Sequence, residues 1–202
     1  MLKLKKIAVT GGVASGKTTV CKLFQKLGAY VVSADEISHK LFDPQTDLGL
    51  QIIRTLGSDI LQNGKINRKI VADKVFKDQK LLLELEKILH PLILKQIELG
   101  YVDVCKKGGY RAFVVEIPLL FEIGAEGFYD VTISVEAEPK SAIKRFEALG
   151  FTEEEYNRRM SRQLSPQMKS AKAQYTIKNN GTLEDLQKEI VELSERIFIH
   201  DS

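Results

Sequence analysis

Short apolar stretches alternate along most of the chain with segments of helical spacing. Stretches rich in β-branched and aromatic residues predict strands at 4–10, 30–32, 111–117, 129–135 and 174–177. Apolar residues that recur every three or four positions predict helices at 17–27, 67–76, 80–106, 139–149, 153–163 and 183–198. This alternation predicts an α/β protein with a five-stranded parallel sheet between helical layers.

The interval 43–107 departs from this alternation because it contains no convincing strand. Its apolar residues follow helical spacing, most clearly from Leu81 to Ile97. Pro91 would either lie in the first turn of a second helix or kink one continuous helix. We interpret 43–107 as a helical insertion over the ligand-binding edge of the sheet, within a single domain 1–202.

A second departure is the basic segment 150–173. Thr152 followed by three glutamates predicts a helix that starts with a capping box. Few large apolar residues follow, and the segment carries the basic residues Arg158, Arg159, Arg162, Lys169 and Lys172. We expect a thinly packed, mobile lid that covers phosphate groups.

Composition bounds the class of protein without revealing its function. With 202 residues, of which 44% are hydrophobic and 28% charged, the chain is long enough for one globular domain. Thirty basic residues against 27 acidic ones give a net charge of +3, which suits an anionic small molecule. A nucleic-acid partner would require a larger basic surplus. We expect a monomer or a weak homo-oligomer.

No segment predicts membrane insertion or export. The apolar run near the start ends at Gly11, too soon for a signal peptide, and no stretch approaches the roughly 20 apolar residues of a membrane span. Cys21 and Cys105 form no metal-binding or disulfide pattern, so we expect both to be buried as small apolar groups. These observations predict a cytoplasmic protein without a membrane partner.

The strongest chemical signal is the motif GGVASGKT at residues 11–18. It fits G-x-x-x-x-G-K-[ST] between a predicted strand and a predicted helix, which is the context that a phosphate-binding loop requires. Gly11 and Gly16 allow the backbone to present successive N–H groups to phosphate oxygens. Lys17 would reach the β and γ phosphates of a nucleotide, and the Thr18 hydroxyl would ligate Mg²⁺. A purely structural glycine turn is the weaker interpretation.

Loops of this kind occur in kinases, GTPase switches and motors. The strings D-x-x-G and N-K-x-D that would indicate a GTPase are absent from the sequence, which weakens the switch interpretation. A kinase needs a carboxylate that orients the acceptor hydroxyl. Asp35, just past the second predicted strand, is equally well placed as that base or as a helix N-cap. Glu116 ends the third strand and could hold a Mg²⁺-bound water, although a solvated charge is slightly favoured.

Several stretches resemble the dephospho-CoA kinase family, in the family's order. They are TGGVASGKT at 10–18, Ala34-Asp35, ILHPLI at 88–93, IPLLFE at 117–122 and YTIKNNG at 175–181. The loop is generic, whereas the later stretches are more specific, and the resemblance covers almost the whole chain. It implies a P-loop NTPase fold and the ATP-dependent phosphorylation of the ribose 3′-hydroxyl of dephospho-CoA, the last step of CoA synthesis.

The resemblance also implies roles for individual residues. Asp35 matches the family's proposed base, Lys17 belongs to its ATP loop, and Arg159 matches a lid arginine that would stabilise transition-state charge. The implied ATP-binding residues are Gly11, Gly12, Ala14, Ser15, Gly16, Lys17, Thr18, Thr19, Asn179 and Asn180. The implied acceptor-binding residues are Asp35, His90, Pro91, Leu119 and Glu122. The helical insertion would bind dephospho-CoA.

The chain differs from the family pattern at two points. Ser33 stands where the family commonly has an acid, so a paired-carboxylate role there is lost. Leu149 lies where the start of the lid usually has an arginine, and its contact would pass to Arg145, Arg158 or Arg162. Two other functions remain open from the residues alone: a kinase that acts on a nucleoside or nucleotide, and a nucleotide-dependent regulatory protein.

Overall fold

A computed structural model describes residues 4–199 of the chain. Residues 1–3 and 200–202, the two ends of the predicted domain 1–202, lie outside the described residues. The strands are β1 (Lys6–Gly11), β2 (Tyr30–Ser33), β3 (Leu61–Gln62), β4 (Lys65–Ile66), β5 (Phe113–Glu116), β6 (Val131–Glu136) and β7 (Tyr175–Lys178). The α-helices are α1 (Lys17–Lys26), α2 (Ala34–Leu41), α3 (Asp47–Leu56), α4 (Arg68–Lys77), α5 (Gln79–Lys107), α6 (Pro139–Glu147), α7 (Glu153–Met160), α8 (Pro166–Lys172) and α9 (Leu183–Ile199).

The main sheet has the strand order β2-β5-β1-β6-β7, and every neighbouring pair is parallel. The predicted α/β class and five-stranded parallel sheet are therefore confirmed. The central strand β1 is buried throughout. Its register places Val9 opposite Glu116 of β5, and Gly11 opposite Val135 of β6. The carboxyl ends of these strands therefore meet at one edge, where ligands bind in sheets of this class.

Helices cover both faces of this sheet. Ile133 and Val135 of β6 belong to a buried core that also includes Phe24 of α1 and Ile190 of α9. Ser134, which lies between them, points to the opposite face because side chains alternate along a strand. There its hydroxyl accepts a hydrogen bond from Ser170 of α8, at 3.3 Å. The sheet thus lies between α1 with α9 on one side and α8 on the other.

The described chain divides into two compact units. Within the described residues, the first comprises 4–33 with 101–199, and the second comprises Ala34–Gly100. The second unit has its own apolar core, which includes Ile52, Leu56, Ile60, Val71, Val75, Leu85 and Leu89. Helices α3, α4 and α5 supply most of these residues, which explains why helical spacing dominates this part of the sequence.

The prediction that 43–107 lacks strands was wrong, because β3 and β4 pair there as an antiparallel hairpin. Asn63 and Gly64 form its turn with φ of 52° and 72°. Asn-Gly is the sequence that favours such a two-residue turn. The two strands are only two residues long each, which left no alternation of apolar and polar positions to detect.

Other differences concern helices and cysteines. Helix α5 runs without interruption through Pro91, so this proline lies inside one continuous helix and not in the first turn of a second helix. The helix predicted over 153–163 ends at Met160, and α8 begins separately at Pro166 behind the capping residue Ser165. Cys21 is buried, and this burial raises the pKa of its thiol. The expected burial of Cys105 was wrong in degree, since it is half-buried.

Candidate functional site

The loop between β1 and α1 is shaped by glycines that lie in the left-handed region. Gly11 has φ of 145° and Gly16 has φ of 103°. A Cβ atom at Gly11 would overlap the backbone carbonyl of Val135 on the neighbouring strand β6. The first glycine of the motif is therefore required by both its dihedral angle and the close approach of β6. Ala14 adopts φ of 51°, which adds a strained residue to the loop.

Lys17 is the first residue of α1, and its side chain is folded back onto the loop. Its ammonium donates hydrogen bonds to the carbonyl oxygens of Gly12, at 2.7 Å, and Gly11, at 3.3 Å. The residue is only 8% exposed. A buried cation is thus held at the N-terminal end of a helix, where backbone N–H groups and the helix dipole also favour an anion.

Thr18 and Glu116 meet at the carboxyl edge of the sheet. The Thr18 hydroxyl donates a hydrogen bond to a carboxylate oxygen of Glu116, at 2.9 Å. Hydroxyl and carboxylate oxygens are ligands that Mg²⁺ accepts. Over residues 4–199, no group of three or more His, Cys, Asp or Glu side chains could hold a metal ion. A metal at Thr18 and Glu116 would take further ligands from phosphate and water, as nucleotide-bound Mg²⁺ does.

Two side chains donate hydrogen bonds to the carbonyl oxygen of Ser15 in the loop. The side-chain amide of Asn179, just past β7, donates to this oxygen at 2.8 Å. Arg145 of α6 donates to the same oxygen at 3.4 Å and to the Asn179 carbonyl at 3.0 Å. Asn180 contacts a different element, since its side-chain oxygen accepts a hydrogen bond from the N–H of Glu138 at 2.8 Å. Arg145, one of three predicted replacements for the arginine absent at Leu149, thus contacts the loop.

Helix α7 of the basic segment packs against the loop. The backbone N–H of Val13 donates to the sulfur of Met160 at 3.3 Å. Buried Phe146 and Tyr156 form a small core with partly buried Val13. The predicted lid therefore has more apolar packing than its sequence indicated. The guanidinium of exposed Arg159 lies 4.6 Å from the centre of the Phe151 ring and 5.1 Å from that of Phe146.

Lys169 of α8 is fully buried, which the sequence did not predict. Its ammonium forms an ion pair with Glu122 at 3.0 Å and donates to the side-chain oxygen of Gln163 at 3.1 Å. It also donates to the carbonyl oxygen of Pro118. Burial lowers the pKa of Lys169, and the neighbouring Glu122 carboxylate partly opposes this shift. Lysine is rarely buried without such partners, so the sequence carried no signal for this position.

The Glu122 carboxylate makes its contacts with other groups of the protein. One of its carboxylate oxygens accepts hydrogen bonds from the N–H of Leu164, at 2.8 Å, and from Lys169. The other oxygen is buried and has no hydrogen-bond partner among the described residues. The structure therefore places Glu122, predicted to bind an acceptor, against the basic segment.

The remaining predicted acceptor residues lie mostly in the second unit. Asp35 is the second residue of α2 and is exposed, so it lies inside the first helical turn rather than before it. This position weakens the N-cap interpretation. His90 is half-buried in α5, and burial lowers its pKa against the opposing effect of Glu86. Pro91 is exposed on the same helix, whereas partly buried Leu119 belongs to the first unit.

Comparison with known proteins gives a consistent result. The family model described as dephospho-CoA kinase matches residues 5–185. A dephospho-CoA kinase of Protochlamydia amoebophila is 42% identical over 202 residues, which cover 99% of this chain and 100% of that protein. The crystal structure of TT1252 from Thermus thermophilus superposes with a TM-score of 0.81 at 27% identity and covers 96% of this chain and 98% of that one.

A dephospho-CoA kinase from Campylobacter jejuni superposes with a TM-score of 0.64 at 28% identity, covering 96% of this chain and 97% of that one. The predicted P-loop fold class is thereby confirmed. Within residues 4–199, no helix combines the length and the apolar character needed to cross a bilayer.

Proposed function

This chain belongs to the dephospho-CoA kinase family, and on that premise we propose how its residues divide the work of phosphoryl transfer. The enzyme uses ATP to phosphorylate the ribose 3′-hydroxyl of dephospho-CoA, the last step of CoA biosynthesis. The first unit would hold the donor, and the second unit would hold the acceptor. The observation that carries the placement of the donor is the buried Lys17 ammonium within the loop of the first unit.

The donor phosphates would bind at the loop 11–18. Lys17 would exchange its bonds to the Gly11 and Gly12 carbonyls for bonds to the β and γ phosphates. Because the ammonium already lies at the loop, little side-chain reorganisation would be needed. The N–H groups at the start of α1 would complete the anion site.

Mg²⁺ would be held by Thr18 and Glu116. The hydrogen bond between the Thr18 hydroxyl and the Glu116 carboxylate supports this assignment, since it brings two oxygen ligands to the edge of the sheet. When bound, the ion would neutralise charge that develops on the transferred phosphoryl group. The chain's own contribution would be to fix both oxygens on α1 and β5.

Asp35 would orient the acceptor hydroxyl and accept its proton. Its exposed position in the first turn of α2 keeps the carboxylate open to a substrate. The interval 43–107 would bind dephospho-CoA, with His90 and Pro91 as pocket residues, and 150–173 would serve as the lid. Arg159 would stabilise transition-state charge, and the exposure of its side chain beside the Phe146 and Phe151 rings supports this role.

An ADP-release assay tests the acceptor and the base together. Dephospho-CoA should support turnover, whereas nucleosides and nucleotides should not, and activity with a nucleoside alone would refute the acceptor assignment. Asp35→Asn should lower kcat by about 10²- to 10⁴-fold and leave ATP affinity unchanged. Glu36→Gln, on the same helical turn, is the matched control and should retain activity.

Near-normal turnover of Asp35→Asn would show that Asp35 is not the base. ATP consumption without an acceptor would instead favour a nucleotide-dependent regulatory protein. Cell fractionation and size-exclusion chromatography would test the further proposal that the enzyme acts in the cytoplasm as a monomer or weak homo-oligomer.

A further inference from the structure

The carbonyl oxygen of Ser15 is contacted by two side chains from elements that lie far from the loop in sequence. We propose that Asn179, supported by Arg145, is a positioning residue that fixes the Ser15–Gly16 peptide for phosphate binding and does not recognise the adenine base. This inference rests on the proposed placement of the ATP phosphates at the loop.

The orientation of one peptide group is the first step. In a trans peptide, the C=O and the N–H point in opposite directions. The Asn179 amide at 2.8 Å and the Arg145 guanidinium at 3.4 Å fix the direction of the Ser15 C=O. The Gly16 N–H of the same peptide is therefore directed away from Asn179 and Arg145. A donor that is fixed before the ligand arrives binds an anion without the cost of ordering it.

The second step is the fit between Asn179 and Gly16. A Cβ atom at Gly16 would overlap the side-chain nitrogen of Asn179. The glycine therefore serves two purposes: it adopts φ of 103°, and it leaves the space through which the amide reaches the Ser15 carbonyl. A side chain that only faced a base would not need this approach to the loop.

The third step is the burial of Asn179. The residue is only 8% exposed, and its amide nitrogen is committed to Ser15. Arg145 also binds the backbone carbonyl of Asn179 at 3.0 Å, so the end of β7, the helix α6 and the loop are joined through one arginine. Little of Asn179 is left for contact with a base, whereas Asn180 is exposed.

Steady-state kinetics with an adenine-free inhibitor test the proposal. Asn179→Ala removes the amide, and Asn179→Leu removes it at similar volume. KM is measured for ATP and for dephospho-CoA, and Ki is measured for inorganic tripolyphosphate as a competitor of ATP. Each variant should raise KM for ATP and Ki for tripolyphosphate by the same factor, roughly three- to tenfold for one lost hydrogen bond. KM for dephospho-CoA should not change.

Gln187→Ala, an exposed amide on α9, is the control and should match the wild type in all three constants. A raised KM for ATP with an unchanged Ki for tripolyphosphate would overturn the proposal, because the lost contact would then be to the base. An equal rise in KM for dephospho-CoA would also overturn it, since that result indicates general loss of structure.

The loop assignment itself is tested by Lys17→Met. If this variant leaves the Ki for tripolyphosphate unchanged, the phosphates do not bind at the loop and the proposed function fails. If Lys17→Met raises the Ki while both Asn179 variants leave it unchanged, only the role of Asn179 is refuted.

Discussion

Replacement of Lys169 by methionine should destabilise the fold strongly. The side chain is 0% exposed and its ammonium has three acceptors, namely the Glu122 carboxylate, the Gln163 side chain and the Pro118 carbonyl. Methionine preserves much of the volume, so the dominant effect is electrostatic. The change leaves the Glu122 carboxylate, whose side chain is only 15% exposed, without its cation.

The expected loss follows from the burial of both partners. Removing one member of a buried ion pair costs about 3–5 kcal/mol of unfolding free energy, because the remaining charge is desolvated and unpaired. This is a large share of the roughly 5–15 kcal/mol that stabilises a typical domain.

Urea unfolding followed by circular dichroism at pH 7 measures this loss. In the double variant Lys169→Met with Glu122→Gln, the buried charge is gone and glutamine can still accept from the N–H of Leu164. The double variant should therefore recover most of the stability. Lys140→Met, at an exposed position on α6, is the control and should stay within about 0.5 kcal/mol of the wild type. A single variant within about 1 kcal/mol of the wild type, or a double variant less stable than the single one, would refute the reasoning.

Three further changes have defined outcomes. Gly11→Ala should lower stability by about 1–3 kcal/mol and raise KM for ATP, because its Cβ atom would meet the Val135 carbonyl; thermal unfolding and kinetics measure both effects. Because burial lowers the pKa of His90, its imidazole binds a proton more tightly in the unfolded chain than in the folded one. The free energy of unfolding should therefore fall as the pH drops below about 6.5. His90→Gln should reduce that loss, which is measured as the change in the urea midpoint between pH 7.5 and pH 5.5. A change as large in the variant as in the wild type would contradict this prediction. Thr152→Ala should cost about 1 kcal/mol at the start of α7, seen as faster hydrogen exchange of the Glu155 amide.

The sequence was most informative where a feature depends on neighbouring residues. The predicted capping box of Thr152 and Glu155 is confirmed. It could be predicted because both of its hydrogen bonds join residues only three positions apart. Strands of the main sheet were likewise predicted from local composition. The hairpin at Asn63 and Gly64 had a local signal too, and it was missed because the strands beside it are so short.

Features that depend on distant partners could not be predicted. From the sequence alone, Lys169 is expected at the surface, because its ion pair with Glu122 forms only in the folded chain. The contact between Asn179 and Ser15 has no counterpart in the spacing of either segment, since it follows from the order of strands in the sheet. The family resemblance implied that Asn179 binds ATP. Only the structure shows that its side-chain amide contacts the carbonyl oxygen of Ser15.

The hydrogen bond between Asn179 and Ser15 also bears on how the chain is synthesised. The two residues are 164 positions apart, and β7 lies at one end of the sheet order. On the ribosome, the phosphate loop is made 164 residues before the side-chain amide that binds its Ser15 carbonyl. A nascent chain that stops before β7 therefore carries the whole motif without this anchor. The loop is complete in sequence long before it is complete in structure.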